Sequence, residues 1–245
     1  MKKTVKQMGA FFLMLAMLLC FAGCSSTQRK QTTEPQQTSS AQRKDEADTE
    51  TAAMSTPEQV DETVSDPENG NRILVVYFSR TGEQYTVGEI DKGNTAIVAE
   101  MIADQTGADV FEVLPVDDHY PMTYEELTEV AKQEQNENAR PAYAEELPDL
   151  SQYDTVFIGA PVWWGDWPMI MYTFFENNAD ALAGKNLVPF STHEGSGLSG
   201  FDSKLSSACP DSEVLNGLAV RGNDAQNKQE SVRSTVNDWL LGLGF

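Results

Sequence analysis

Positive charge is scarce in this chain of 245 residues. Seventeen lysines and arginines stand against 38 aspartates and glutamates, a formal net charge of −21. A surface of that sign repels nucleic acid and anionic lipid headgroups, so neither is an expected partner; small or basic partners are favoured. Cysteine is nearly absent: Cys20, Cys24 and Cys209 are the whole supply. Cys20 and Cys24 fall in the N-terminal leader region, so no intramolecular disulfide is available to the folded part, which must be held by its core. No charged or histidine residue adjoins Cys209, which gives no reason to expect a reactive thiol. The two histidines, His119 and His193, lie far apart in sequence, and no metal site is expected. After the leader, no apolar run is long enough to span a bilayer, and no repeat of solenoid period occurs.

The leader itself has the features of an export signal. Lys2, Lys3 and Lys6 precede an apolar stretch, Phe11 to Phe21, that is too short for a permanent membrane span. It ends in FAGC, which resembles the lipobox of bacterial lipoproteins, although Phe21 stands where leucine is commoner. The resemblance implies removal of residues 1–23 and lipidation of Cys24, placing the protein on the outer face of a bacterial membrane with acyl chains as its anchor. Ser25 to Asn71 contains no aromatic residue and is rich in Gln, Thr, Ser, Glu and Asp. Such a segment cannot bury enough surface to offset its ordering entropy, so residues 24–71 are expected to act as a polar tether. As a flexible coil it would reach roughly 35 to 40 Å.

From Arg72 the pattern changes. ILVVYF (Ile73 to Phe78), DVFEVL (Asp109 to Leu114), DTVFIGA (Asp154 to Ala160), NLVPFST (Asn186 to Thr192) and EVLNGLAV (Glu213 to Val220) are short apolar or β-branched runs. Several are apolar almost throughout, as strands covered on both faces should be. Between them lie amphipathic segments. Thr95 to Gln105 puts Ile97, Val98, Met101 and Ile102 on one face before Gly107, and the last helix puts Val232, Val236, Trp239, Leu240 and Leu243 on one stripe. The alternation predicts a doubly wound α/β domain over 72–245 with a five-stranded parallel sheet. Ligands of such sheets sit at the carboxyl ends of the strands, where the winding reverses.

Three loops at those ends carry chemistry. After strand one comes SRTG (Ser79 to Gly82), and GNT (Gly93 to Thr95) opens the first helix after the polar excursion EQYTVGEIDK. A helix N-terminus suits a phosphate, and the hydroxyls of Ser79, Thr81 and Thr95 with the Asn94 amide can complete its coordination. Taken alone, the two corners would equally serve as a turn and a helix cap. After strand three comes APVWWGDWPM (Ala160 to Met169), where three tryptophans at a strand end make sense if a flat ligand covers them. Trp167 is the one expected to plug the core. After strand four comes STHEGSGLSG (Ser191 to Gly200), small residues that let a backbone approach a planar ring closely. None of these is a Walker loop, a dinucleotide fingerprint or a hydrolase elbow.

In this order on these strands, the three loops resemble those of the flavodoxin-like family, with the excursion inserted into a phosphate loop that is usually continuous. The resemblance spans Arg72 to Phe245. It implies strand order 2-1-3-4-5, noncovalent flavin mononucleotide (FMN) as cofactor, and a phosphate held by Ser79, Arg80, Thr81, Gly82, Asn94 and Thr95 while the excursion loops outward. Trp164 or Trp163 would flank the flavin ring, and the backbone of Ala160, Pro161, Val162 and Gly165 would run beside it. Thr192, His193, Gly195, Ser196 and Gly197 would meet the ring edge. His193 is in addition the one candidate for proton donation.

The expected function is therefore electron transfer by a tethered flavoprotein, either an electron carrier or a quinone-type reductase, with unidentified donor and acceptor. The alternative is a tethered, non-redox binding module that keeps the fold for another phosphate-bearing aromatic ligand.

Overall fold

A computed structural model describes residues 72–144 and 146–245. The leader, Cys24 and the tether lie outside the described residues. In chain order the elements are β1 (Ile73–Tyr77), a hairpin of β2 (Gly82–Gln84) and β3 (Gly88–Ile90), α1 (Asn94–Thr106), β4 (Asp109–Glu112) and α2 (Tyr124–Glu137). A 3-10 turn, Leu150–Gln152, leads into β5 (Thr155–Pro161) and α3 (Met169–Leu182). There follow β6 (Asn186–His193), α4 (Phe201–Ala208), β7 (Glu213–Val214), β8 (Leu218–Arg221), α5 (Gly222–Asn227) and α6 (Gln229–Leu243).

The main sheet runs β4-β1-β5-β6-β7, with β8 also paired to β6, and every pairing in it is parallel. This is the order 2-1-3-4-5 when β7 and β8 are counted as one interrupted strand. Side chains alternate across the sheet as the strand period requires. Leu74, Val76 and Phe78 of the first strand region face a core shared with α2, α3 and α4, whereas Val75 and Tyr77 face one shared with α1 and α6. Burial on both sides explains why β1, β5 and β6 read as continuous apolar runs. The predicted helical faces hold: Ile97, Val98, Met101 and Ile102 of α1 are buried, as are Val232, Val236 and Leu240 of α6, with Trp239 and Leu243 packed beside them. Gly107 ends α1 in the left-handed conformation, φ 69°, its N–H donating to the Ala103 carbonyl.

Two features differ from expectation. The fifth strand is not continuous over Glu213 to Val220 but broken at 215–217. The Leu215 N–H donates to the Leu187 carbonyl at 2.9 Å, but two residues further along that edge of β6 comes Pro189, which has no N–H to offer. Gly217 is the residue that passes this point; a side chain there would lie 2.7 Å from the Pro189 carbonyl. The excursion after SRTG, expected to loop outward, instead forms the β2–β3 hairpin and folds back onto the start of α2. Glu83 N–H donates to the Met122 carbonyl at 2.7 Å, and Tyr124 N–H donates to the Glu83 carboxylate at 2.9 Å. Among the described residues no helix is long and apolar enough to cross a membrane.

Candidate functional site

The winding reverses between β1 and β5, and the tips of β1, β5 and β6 meet there. SRTG and GNT, separated by the hairpin in sequence, touch in space. A Cβ on Gly93 would collide with Ser79 Oγ and lie 2.7 Å from the Arg80 carbonyl, so only glycine fits. Ser79 Oγ accepts the Ala96 N–H at 3.1 Å and so caps α1 from outside the helix. The first turn of α1 carries no acidic residue, leaving its positive end uncompensated for an anion. Thr81 is half-buried, its carbonyl accepting from Gln84 Nε2, and Gly82 sits at φ 84° against Met122.

The structure gives three of the predicted phosphate residues other work as well. The Thr95 hydroxyl is buried and bonded to the Thr192 hydroxyl at 2.7 Å. The Asn94 side-chain oxygen accepts from Gln226 Nε2 at 2.9 Å. The Arg80 guanidinium turns away to Asp118, at 2.8 Å, and to the Tyr120 carbonyl, also at 2.8 Å. What this corner offers an anion is chiefly backbone N–H at the helix start, where intrahelical partners are lacking.

β5 ends with buried Ala160 and half-buried Pro161, and the loop after it begins with half-buried Val162. Val162 N–H donates to the Thr192 carbonyl at 2.9 Å, tying it to β6. Trp163 and Asp166 exchange two backbone hydrogen bonds of 2.9 Å, which makes Trp164 and Gly165 the corner of a two-residue turn. Both adopt positive φ, 50° and 74°, as a primed turn requires. For Gly165 that is free of strain; for tryptophan it is not. The Trp164 ring is held by its Nε1–H, which donates to the Thr128 carbonyl at 2.8 Å, and by Lys132 Nζ 5.0 Å from the ring centre. It nevertheless remains 54% exposed. Trp163 is packed edge-on against Phe78 and Tyr120. Behind it, buried Glu134 accepts from the Tyr120 hydroxyl at 3.2 Å and pairs with His119. Trp167 is buried and stacked on Phe201, as expected of a core residue.

The loop after β6 is organised by its own side chains. The Gly195 N–H donates to His193 Nδ1 at 2.9 Å, so the imidazole proton sits on Nε2. Burial holds the His193 pKa below its ordinary value; Glu194 opposes the shift and Arg221 adds to it. Glu194 is fastened to the next strand tip, accepting the Asn223 N–H at 2.6 Å and pairing with Arg221 at 3.2 Å. Ser191 Oγ donates to the Gly197 carbonyl. No atom lies near the Cβ position of Gly195 or Gly197, so a ligand can approach this backbone closely.

These loops open on a cleft of about 290 Å³ lined by Asn94, Pro161, Val162, Trp163, Trp164, Thr192, His193, Glu194 and Ser196. Gln84 and Tyr85 of the hairpin and Tyr124, Leu127, Thr128 and Ala131 of α2 line it too. These six were not legible as site residues. The hairpin has no apolar alternation, and α2 buries only Leu127, Ala131 and Glu134. The one signal was the placing of tyrosines at 85 and 124 in otherwise polar segments. A positive helix end with glycine-lined backbone, beside a slot walled by tryptophan, fits a phosphate-bearing flat heterocycle.

Residues 72–238 match the flavodoxin family model, and the chain belongs to that family. Among solved structures it is similar to a candidate flavoprotein from Bacteroides eggerthii, with 28% identity over 69% of this chain and 97% of the other, TM-score 0.54. A candidate flavoprotein from Bacteroides uniformis is 27% identical over 70% and 99%, also TM-score 0.54. A flavoprotein from Lactobacillus acidophilus, solved in complex with FMN, is 20% identical over 66% and 99%, TM-score 0.50, a likeness of fold. No curated protein matches the chain.

Proposed function

We propose that the cleft holds FMN noncovalently and that the protein serves in electron transfer, as an electron carrier or a quinone-type reductase. We further propose that it works on the outer face of a bacterial membrane, tied there by lipidated Cys24. The observation that carries the cofactor reading is that Asn94 at the start of α1, Pro161 at the tip of β5 and Thr192 at the tip of β6 line one cleft. Its α1 end suits a phosphate and its Trp164 end suits a flat ring.

Bound flavin supplies one- or two-electron chemistry; the chain supplies position and field. Backbone N–H groups of Asn94 and Thr95 hold the phosphate, with Ser79 fixing the helix start. Trp164, braced on α2, covers the ring, and Pro161 with Val162 borders it. His193, kept neutral, presents Nε2–H to the ligand, while Gly195 and Gly197 admit the ring edge. The net charge of −21 opposes adding negative charge to the ligand, which lowers the potential of the bound cofactor below that of free FMN.

The test is uptake of FMN by the full chain. Quenching of flavin fluorescence is expected, with FMN bound at least tenfold more tightly than riboflavin because only FMN carries the phosphate. A protein that stays colourless with FMN favours a non-redox module. Conversion of Cys24 to alanine should release the protein from membranes without changing FMN uptake.

A further inference from the structure

The three strand-tip loops account for a cofactor, but not for the other wall of the cleft. That wall is made by Tyr85 from the inserted hairpin and by Tyr124, Leu127 and Thr128 from α2. It is a built surface. Tyr85 stacks on Tyr124 with ring centres 5.4 Å apart, and the hairpin bearing it is pinned by the Glu83 bonds to Met122 and Tyr124. Trp164 is braced on the same helix through Thr128. Yet Tyr85 is 55% exposed, an unfavourable place for a large ring unless something flat covers it.

We propose that Tyr85 and Tyr124 form a subsite for the electron acceptor, a flat, uncharged aromatic ring bearing carbonyl groups, of the quinone class. The inference rests on the FMN reading above and names the substrate class of that site. Aromatic faces select a planar ring. Polarity selects its substituents: neither tyrosine hydroxyl makes a hydrogen bond among the described residues, and His193 Nε2 carries a proton, so the cleft presents donors that call for acceptors. Charge selects neutrality, because the chain is strongly acidic and Glu83 and Glu125 flank the two rings in sequence, which disfavours an anion. Reduction of such a quinone takes two electrons and two protons and yields the hydroquinone, the electrons and protons that one fully reduced FMN gives up in returning to the oxidised form.

The test titrates the full chain, with and without FMN, with 2-methyl-1,4-naphthoquinone while following tryptophan fluorescence. A second arm presents the same ring on an isoprenoid tail in neutral phosphatidylcholine vesicles, which separates a soluble acceptor from a membrane one. Saturable quenching is expected in at least one arm, weakened about tenfold in Tyr85→Ala but nearly kept in Tyr85→Phe, with weaker binding of a sulfonated naphthoquinone. Both variants should unfold in urea in one cooperative step with a midpoint close to the parent's, which shows that they fold. Equal naphthoquinone affinity in Tyr85→Ala and parent, or no saturable quenching in either arm, overturns the subsite. Failure of the parent to take up FMN overturns the cofactor reading instead, and the titration without FMN still decides whether the tyrosines bind the ring.

Discussion

The side-chain oxygens of Thr95 and Thr192 lie 2.7 Å apart, and both residues are buried. This bond joins the first turn of α1 to the tip of β6, and so ties the proposed phosphate corner to the proposed ring corner. Replacing Thr192 by valine keeps the shape but leaves the Thr95 hydroxyl buried without its partner, at a cost of about 1–3 kcal/mol. The double variant Thr95→Val/Thr192→Val removes both polar groups. Its loss should be smaller than the sum of the two single losses, a coupling that urea denaturation of all four proteins would measure.

Trp164 combines two opposed effects. Its backbone, at φ 50°, favours glycine, whereas its ring is fixed on α2 and walls the cleft. Trp164→Ala should therefore lose the ring and keep the strain; Trp164→Gly should lose the ring and relieve it. Both variants are expected to bind FMN more weakly, by the ~0.5–1.5 kcal/mol of ring stacking. The glycine variant should be the more stable of the two by about 1 kcal/mol in thermal or urea unfolding. Equal stability would mean that the turn adapts to alanine.

The contrast between these loops and the hairpin shows what the sequence could reveal. The first four strands and both quoted helical faces were legible because burial on two sides writes an apolar run, and burial on one side writes a helical stripe. The convergence of SRTG and GNT was legible through the resemblance of the three loops taken together, since either corner alone would equally serve as a turn or a helix cap. The break in the fifth strand was not, since its cause, Pro189, lies in the neighbouring strand. Nor was the wall of Tyr85 and Tyr124, because three-residue strands such as GEQ and GEI carry no periodicity, and their partner Met122 is far away in sequence. Arg80 illustrates the same limit. Beside a phosphate loop a cation suggests the ligand, and only the folded chain reveals Asp118 as its partner.

Cys209 is 1% exposed, packed in the core shared by α3 and α4, and burial pushes its thiol pKa up to about 11. The thiolate, which is the reactive form, is therefore scarce at neutral pH and shielded as well. Iodoacetamide at pH 8 should leave the native protein unlabelled at this position and modify it quickly in urea, as peptide mass analysis would show. Rapid native labelling would mean that the α4 region opens locally.

The two histidines should give the fold opposite responses to pH. The pKa of His119 is raised, first by its hydrogen bond to the Asp117 carbonyl and then by Glu134, so its contribution is complete below the ordinary histidine value and is lost as pH rises through the raised one. The pKa of His193 is lowered, first by burial, so its contribution is present above the ordinary value of about 6.5 and is lost as pH falls towards the depressed one. Protonation of His193 Nδ1 also removes the acceptor of the Gly195 N–H, which organises the loop from His193 to Gly197. FMN affinity is therefore expected to weaken as pH falls below the ordinary histidine value, by roughly twofold to twelvefold beyond the loss from protonation of the FMN phosphate if one hydrogen bond is lost, about 0.5–1.5 kcal/mol. His193→Asn keeps a side-chain acceptor without a titrating group and should remove this extra loss, leaving that of the FMN phosphate, whereas His119→Gln should keep the parent's profile. The same pH profile of FMN affinity in the parent and in His193→Asn, followed down to the acid limit of the fold, would show that the His193 bond to Gly195 has no part in holding the cofactor.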